Sequence, residues 1–154
     1  ACILVRPRHK KIIEDLKKLK VNIKFITDGD ISGALLVSQK KFNVDIFLGT
    51  GGGPEGVLSA SALDAYNCYF QGRFIFESDD EKMRAKKMGI SNFNRKYELN
   101  EIVSGDSIFC ATGITSGDIV KGININNQNC YSETLITHRS SNTKKVFKLT
   151  HKIE

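Results

Sequence analysis

The chain has no tryptophan, two prolines, two methionines and four cysteines in 154 residues. These scarcities exclude several classes. The cysteines stand at 2, 68, 110 and 130, with no C-x-x-C pair and no histidine at zinc-ligand spacing, so neither a disulfide scaffold nor a zinc site is indicated and a reducing cytoplasm is the expected setting. No apolar run approaches the roughly 20 residues that a membrane-spanning helix needs. With 40% apolar and 26% charged residues, disorder, collagen-like repeats and coiled coil are excluded, and one globular core is expected. Acidic residues are the minority, 17 against 23 Lys and Arg, for a net charge of +6. That charge permits polyanion binding and equally suits small phosphates. The sequence offers neither aromatic stacking motifs nor a recognition helix, so a nucleic-acid module is set aside. The opening Ala1-Cys2-Ile3-Leu4-Val5 has no basic leader or signal-like core and starts inside a strand pattern. The domain is therefore expected to belong to a longer chain.

Short β-rich runs alternate with helical stretches through the first half. Strands are expected at 3–5, 21–27, 44–48 and 69–76, and helices at 9–20, 31–39, 54–66 and 79–88, the last ending at Gly89. In the first helix Ile12, Ile13, Leu16 and Leu19 form an apolar stripe opposite a lysine-rich, solvated face. Such units imply a largely parallel sheet covered by helices. After residue 105 the pattern changes to apolar runs at 108–114, 119–125, 130–138 and 144–153 separated by turn chemistry, which reads as an antiparallel meander continuing the sheet. Cys110, within Ser107-Ile108-Phe109-Cys110-Ala111, is expected to be packed. The fold class is thus α/β: a three-layer mixed sheet with helices on its faces, in one domain over 1–154.

Chemistry concentrates at three strand-to-helix junctions. The first strand exits into Arg6-Pro7-Arg8-His9, the second into Asp28-Gly29-Asp30 and the third into Gly49-Thr50-Gly51-Gly52-Gly53-Pro54-Glu55-Gly56. On parallel neighbours these exits share the carboxyl edge, where open α/β sheets bind ligands. Arg6 and Arg8, held by Pro7, present two charged forks that either grip phosphate oxygens or pair with carboxylates at a helix start. His9 is read as a first-turn helix residue without a chemical role. Asp28 and Asp30 either accept hydrogen bonds from sugar hydroxyls or ligate a cation, and Asp30 has the alternative of capping the next helix. Glycines at 49, 51, 52 and 53 let backbone N–H groups approach an anion, and Pro54 suits the first helical position. Glu55 beside a phosphate would repel it unless a divalent cation lay between them, which favours a metal role. Neither G-x-G-x-x-G nor a Walker ending is met, so a phosphorylated small molecule with several hydroxyls fits better than a nucleotide.

These segments, together with Gln71-Gly72-Arg73 and Ala111-Thr112-Gly113-Ile114-Thr115-Ser116-Gly117-Asp118, in this order and spacing resemble the carboxyl-terminal half of class II fructose-1,6-bisphosphatase. That is the bacterial type, also found with sedoheptulose-bisphosphatase activity. The resemblance implies a lithium-sensitive-phosphatase-like fold, dependence on Mn²⁺ or Mg²⁺, hydrolysis of the 1-phosphate of fructose 1,6-bisphosphate in gluconeogenesis, and a homo-oligomer in the cytoplasm. By matching position, Arg6, Pro7, Arg8, Asp28, Gly29, Asp30 and Gly52 would contact substrate and Glu55 would ligate the metal. The catalytic groups and other metal ligands would lie in an amino-terminal half that these residues do not include. Gly53 stands where relatives often have alanine, and the segments at 71–73 and 111–118 are read as structural turns.

Overall fold

The computed structural model describes residues 1–153; Glu154, the last residue of the span read as one domain, lies outside them. The centre of the first half is β1 (Cys2–Leu4), whose three residues are almost wholly buried. It pairs in parallel with β2 (Lys24–Ile26), Cys2 opposite Lys24 and Leu4 opposite Ile26. On its other edge Cys2 bridges Phe47, donating to the Ile46 carbonyl at 2.8 Å and accepting from the Leu48 amide at 3.1 Å. The strand expected at 44–48 is therefore a single parallel bridge. The ladder stops because the Leu4 carbonyl, on the same edge as Cys2 by the two-residue period, goes to the His9 ring at 2.8 Å instead. β1 thus lies between its two partners, and the chain reverses its direction of travel across the strands at this point.

A 3-10 turn at Pro7–His9 leads into α1 (Lys10–Lys18), which buries Leu16 and leaves Lys11, Asp15 and Lys18 paired on its exposed face. α2 (Asp30–Leu35) is shorter than expected and gives way to 3-10 turns at Leu36–Ser38 and Lys40–Phe42. At its end the Ser38 hydroxyl donates to the Leu35 carbonyl at 2.7 Å, a side-chain bond that competes with helix continuation. Gly33 lets α2 lie close to the strands: a Cβ there would stand 2.5 Å from Ile26 Cδ1 and 2.7 Å from Phe47 Cε2. α3 (Gly53–Asp64) packs on α2, and the two helices share a core with the later strands through Ala34, Leu35, Ala62, Leu63, Phe109 and Leu135.

Of the strand expected at 69–76, only β3 (Gln71–Gly72) pairs. Its partner is β4 (Tyr97–Glu98), unforeseen and antiparallel. The apolar run there serves an aromatic cluster instead: Phe74 lies 5.9 Å from Phe76 and 5.7 Å from Tyr97, and Phe76 lies 5.3 Å from Phe93. α4 (Asp79–Lys87) follows the expected pattern. The Ser78 hydroxyl caps it by accepting from the Glu81 amide at 3.2 Å, and Gly89 follows its end with φ +88. A one-turn helix, α5 (Leu99–Ile102), leads to the antiparallel region.

That region comprises β5 (Ile108–Thr112), β6 (Asn124–Asn126), β7 (Asn129–His138) and β8 (Thr143–Lys152). It is not a simple meander and does not continue the parallel strands. β7, ten residues long, pairs with β8 along one edge and with β6 and β5 end to end along the other. The run at 119–125 is mostly a compact loop because Gly113 and Gly122 bring backbone into contact: a Cβ on Gly113 would stand 2.3 Å from the Lys121 carbonyl oxygen. Asp118 binds Lys24 at 2.6 Å, tying this loop to β2. The chain is thus a mixed α/β structure with separate parallel and antiparallel sheets. Cys110 is exposed rather than packed, because strand alternation turns Phe109 inward and its neighbour out.

Candidate functional site

Three contacts join the three exits. Arg6 Nη2 lies 3.8 Å from Asp28 Oδ1, linking the β1 and β2 exits. Arg8 Nε donates to the Thr50 carbonyl, linking the β1 exit to the glycine turn. The Asp30 carboxylate lies against Gly51, with Oδ1 3.6 Å from where a Cβ would stand, which closes the ring. Arg6, Pro7, Arg8, Asp28, Gly29, Asp30, Gly52 and Glu55 thus belong to three joined segments at the carboxyl edge of the parallel strands. The segments flank β1, where the strand order reverses, the point at which open α/β sheets form a crevice.

Each segment has a local cause. Gly29 adopts the left-handed conformation, φ +83 and ψ 72, which only glycine takes without cost. Its amide donates to Asp28 Oδ1 at 2.9 Å, and its carbonyl accepts from the Ser32 hydroxyl at 2.9 Å. Gly29 is the N-cap of α2 and Asp30 its first residue, so Asp30 makes no capping bond and its carboxylate is left facing the glycine turn. The Arg6–Asp28 pair is long and Asp28 is 96% exposed. Such a pair contributes about 0–1 kcal/mol, so both charges remain available to a ligand.

Gly52 is the N-cap of α3 and has no side chain to satisfy the first amides of that 12-residue helix. Its φ of −69 is open to any residue; glycine is what leaves room for the end of the Glu55 side chain to lie over this position. Glu55, in the first turn, folds back so that Oε2 would stand 2.3 Å from a Cβ at Gly52. Gly53 has open space around it, so a Cβ there would fit. The helix start therefore presents N–H groups, a positive dipole end and one exposed carboxylate together. An apolar trough of about 300 Å³, lined by Ile31, Leu35, Leu58, Phe109 and Leu135 among others, begins one residue beyond Asp30. Its lining offers little to a phosphate.

For a divalent cation, Glu55 is a chemically suitable oxygen ligand, but among the described residues no three His, Cys, Asp or Glu side chains converge to hold an ion. Mg²⁺ or Mn²⁺ needs near-octahedral oxygen coordination, so the chain by itself does not complete such a site. No helix among the described residues is long and apolar enough to cross a membrane.

Two residues that sequence reasoning passed over lie at the centre of the site. His9 is fully buried: Nδ1 lies 2.8 Å from the Leu4 carbonyl, and the Thr50 amide lies 2.9 Å from Nε2. Thr50 receives contacts from both Arg8 and His9. A signal for His9 was present, because positions 9, 12, 13 and 16 fall on one helical stripe.

The family model of bacterial, glpX-encoded fructose-1,6-bisphosphatase matches residues 1–151. Similar proteins include those named D-fructose 1,6-bisphosphatase class 2/sedoheptulose 1,7-bisphosphatase from Gloeobacter violaceus, 32% identical, and from Trichodesmium erythraeum and Microcystis aeruginosa, each 30% identical. Each match covers 97% of this chain and 47% of the relative, so the chain spans about half the length of these proteins. With the family model matching nearly end to end, the chain belongs to the bacterial, glpX-encoded fructose-1,6-bisphosphatase family.

Proposed function

We propose that this chain is the carboxyl-terminal, substrate-binding part of a metal-dependent sugar bisphosphatase that hydrolyses the 1-phosphate of fructose 1,6-bisphosphate to fructose 6-phosphate and phosphate. The observation that carries the reading is the joining of the arginine turn, the Asp28-Gly29-Asp30 turn and the glycine turn at the reversal of strand order. Arg6 and the outer nitrogens of Arg8 neutralise phosphate charge at about 1.5–3 kcal/mol per charge-assisted hydrogen bond. Asp28 and Asp30 accept hydrogen bonds from sugar hydroxyls, which distinguishes a phosphosugar from free phosphate. The N–H groups at the start of α3 bind phosphate oxygens, and Gly52 lets the ligand approach. Glu55 contributes one ligand to Mn²⁺ or Mg²⁺; a divalent ion there supplies charge neutralisation and an activated water. The remaining ligands and the catalytic groups come from the amino-terminal half, the protein assembles as a homo-oligomer, and its place is the cytoplasm.

The test is complementation. The 154-residue chain binds fructose 1,6-bisphosphate weakly and releases no phosphate; adding the amino-terminal half in trans with Mn²⁺ restores release. Turnover by the chain alone overturns this division of labour. A second reading, a non-catalytic sugar-phosphate-binding domain, is favoured by the lack of a three-ligand cluster among the described residues. Glu55→Gln separates the two, removing activity from the complemented enzyme but leaving the affinity of a simple binding domain unchanged.

A further inference from the structure

We propose that His9 is a positioning residue, which holds the glycine turn in register with the arginine turn by accepting the Thr50 N–H. The ring is fully buried between two backbone groups from distant segments. Its Nδ1 faces the Leu4 carbonyl at 2.8 Å, and a carbonyl can only accept, so the network assigns the proton to Nδ1. In the neutral ring Nε2 is then the acceptor, and the Thr50 amide points at it from 2.9 Å. The Thr50 carbonyl, 3.1 Å from the same nitrogen, receives the Arg8 Nε–H. Consecutive residues of the arginine turn, Arg8 and His9, therefore hold both polar groups of one residue 42 and 41 positions away.

Thr50 is two residues before Gly52, the N-cap of α3, and the intervening turn is exposed and glycine-rich. A free glycine turn loses much conformational entropy when a ligand orders it, and amides fixed beforehand avoid that cost. The His9 and Arg8 bonds anchor the start of the turn to the buried end of β1. Since Arg8 Nε is occupied by Thr50, its outer nitrogens are left to face a ligand. The forks of the arginine turn and the N–H cradle of α3 are consequently held at one spacing, which suits a rigid phosphorylated group. This inference rests on the phosphatase reading only for the identity of the ligand.

His9→Asn and His9→Gln separate positioning from fold support, because each keeps a different bond. The Asn amide nitrogen takes the place of Nδ1 and still donates to Leu4 but does not reach Thr50; the Gln side-chain oxygen takes the place of Nε2 and accepts the Thr50 N–H. Each variant loses one hydrogen bond, so a purely structural histidine predicts equal effects. The 154-residue chain is compared by amide hydrogen exchange at Thr50 and by titration with inorganic phosphate. With His9→Asn we expect faster exchange at Thr50 and roughly three- to tenfold weaker phosphate binding, the range for one hydrogen bond. With His9→Gln both readings stay near wild type. A folded His9→Asn variant with wild-type exchange and phosphate affinity, or a His9→Gln variant as impaired as His9→Asn, overturns the proposal. If the wild-type chain binds neither phosphate nor fructose 1,6-bisphosphate, the phosphatase reading fails while Thr50 exchange still decides the role of His9.

Discussion

Gly52→Ala should separate folding from ligand binding, and the structure supplies the magnitudes. The backbone at Gly52, φ −69 and ψ 150, is open to alanine without strain. Alanine caps a helix less well than glycine, while the stiffer unfolded chain returns about 0.4–1 kcal/mol. The net effect on stability is near zero, and the melting temperature should stay within about 2 °C of wild type. The new Cβ, however, would stand 2.3 Å from Glu55 Oε2 and 3.3 Å from its Cδ. The exposed end of Glu55 swings away at little cost to the fold, and the carboxylate leaves its place over the N-cap. Gly113→Ala is the contrasting control, because its Cβ would meet the Lys121 backbone oxygen at 2.3 Å, and backbone cannot swing aside. Overpacking of that kind costs about 1–3 kcal/mol, or roughly 2–12 °C in melting temperature for a chain of this size. Thermal unfolding of the chain and Mn²⁺ titration of the complemented protein measure the two effects. For Gly52→Ala we expect unchanged melting and roughly tenfold or greater loss of Mn²⁺ affinity, approaching that of Glu55→Gln. Melting lowered as much as in Gly113→Ala, or Mn²⁺ affinity left at the wild-type value, would refute the account of Glu55 over Gly52.

Arg139→Ala should destabilise the chain by about 1–3 kcal/mol, since it strands the buried Asp64 carboxylate, now bonded at 3.0 Å; denaturant unfolding with no change in midpoint would contradict this. Asp106 is held below the usual carboxylate range by hydrogen bonds from Ser140 and then His138, and Glu133 chiefly by the Lys121 amide. Their contribution is complete above the unfolded values near 4 and is lost as pH falls through the lower folded values, so Glu133→Gln should flatten the stability loss below about pH 4. An acid limb identical to wild type counts against it. Under native conditions Cys110 should react with maleimide before Cys2, whose thiol is fully buried and pushed above its ordinary value by that burial; mass spectrometry finding Cys2 labelled as fast would contradict the packing of β1.

Much of the site was legible because its features are local in the chain. Arginines around a proline, carboxylates around a glycine, and glycines before a proline each declare a turn, and each stands where a strand pattern ends. α4 was equally legible, since Ser78 and Gly89 are local stop signals that no distant contact overrides. The apolar run at 69–76 misled because aromatic residues suit a strand and an aromatic cluster alike.

The sequence by itself determined which residue types stand at each junction, the family, and the change from parallel to antiparallel texture after residue 105. Only the tertiary structure decided that β1 lies between its two parallel partners, that the strand at 44–48 shrinks to one bridge, and that β5 and β6 share an edge of β7. It also decided that His9 joins two loops rather than merely starting a helix. The physical reason is common to all of these. Hydrogen bonds between residues far apart are settled by which buried donor meets which acceptor once the core is packed, and no short stretch of chain carries that information.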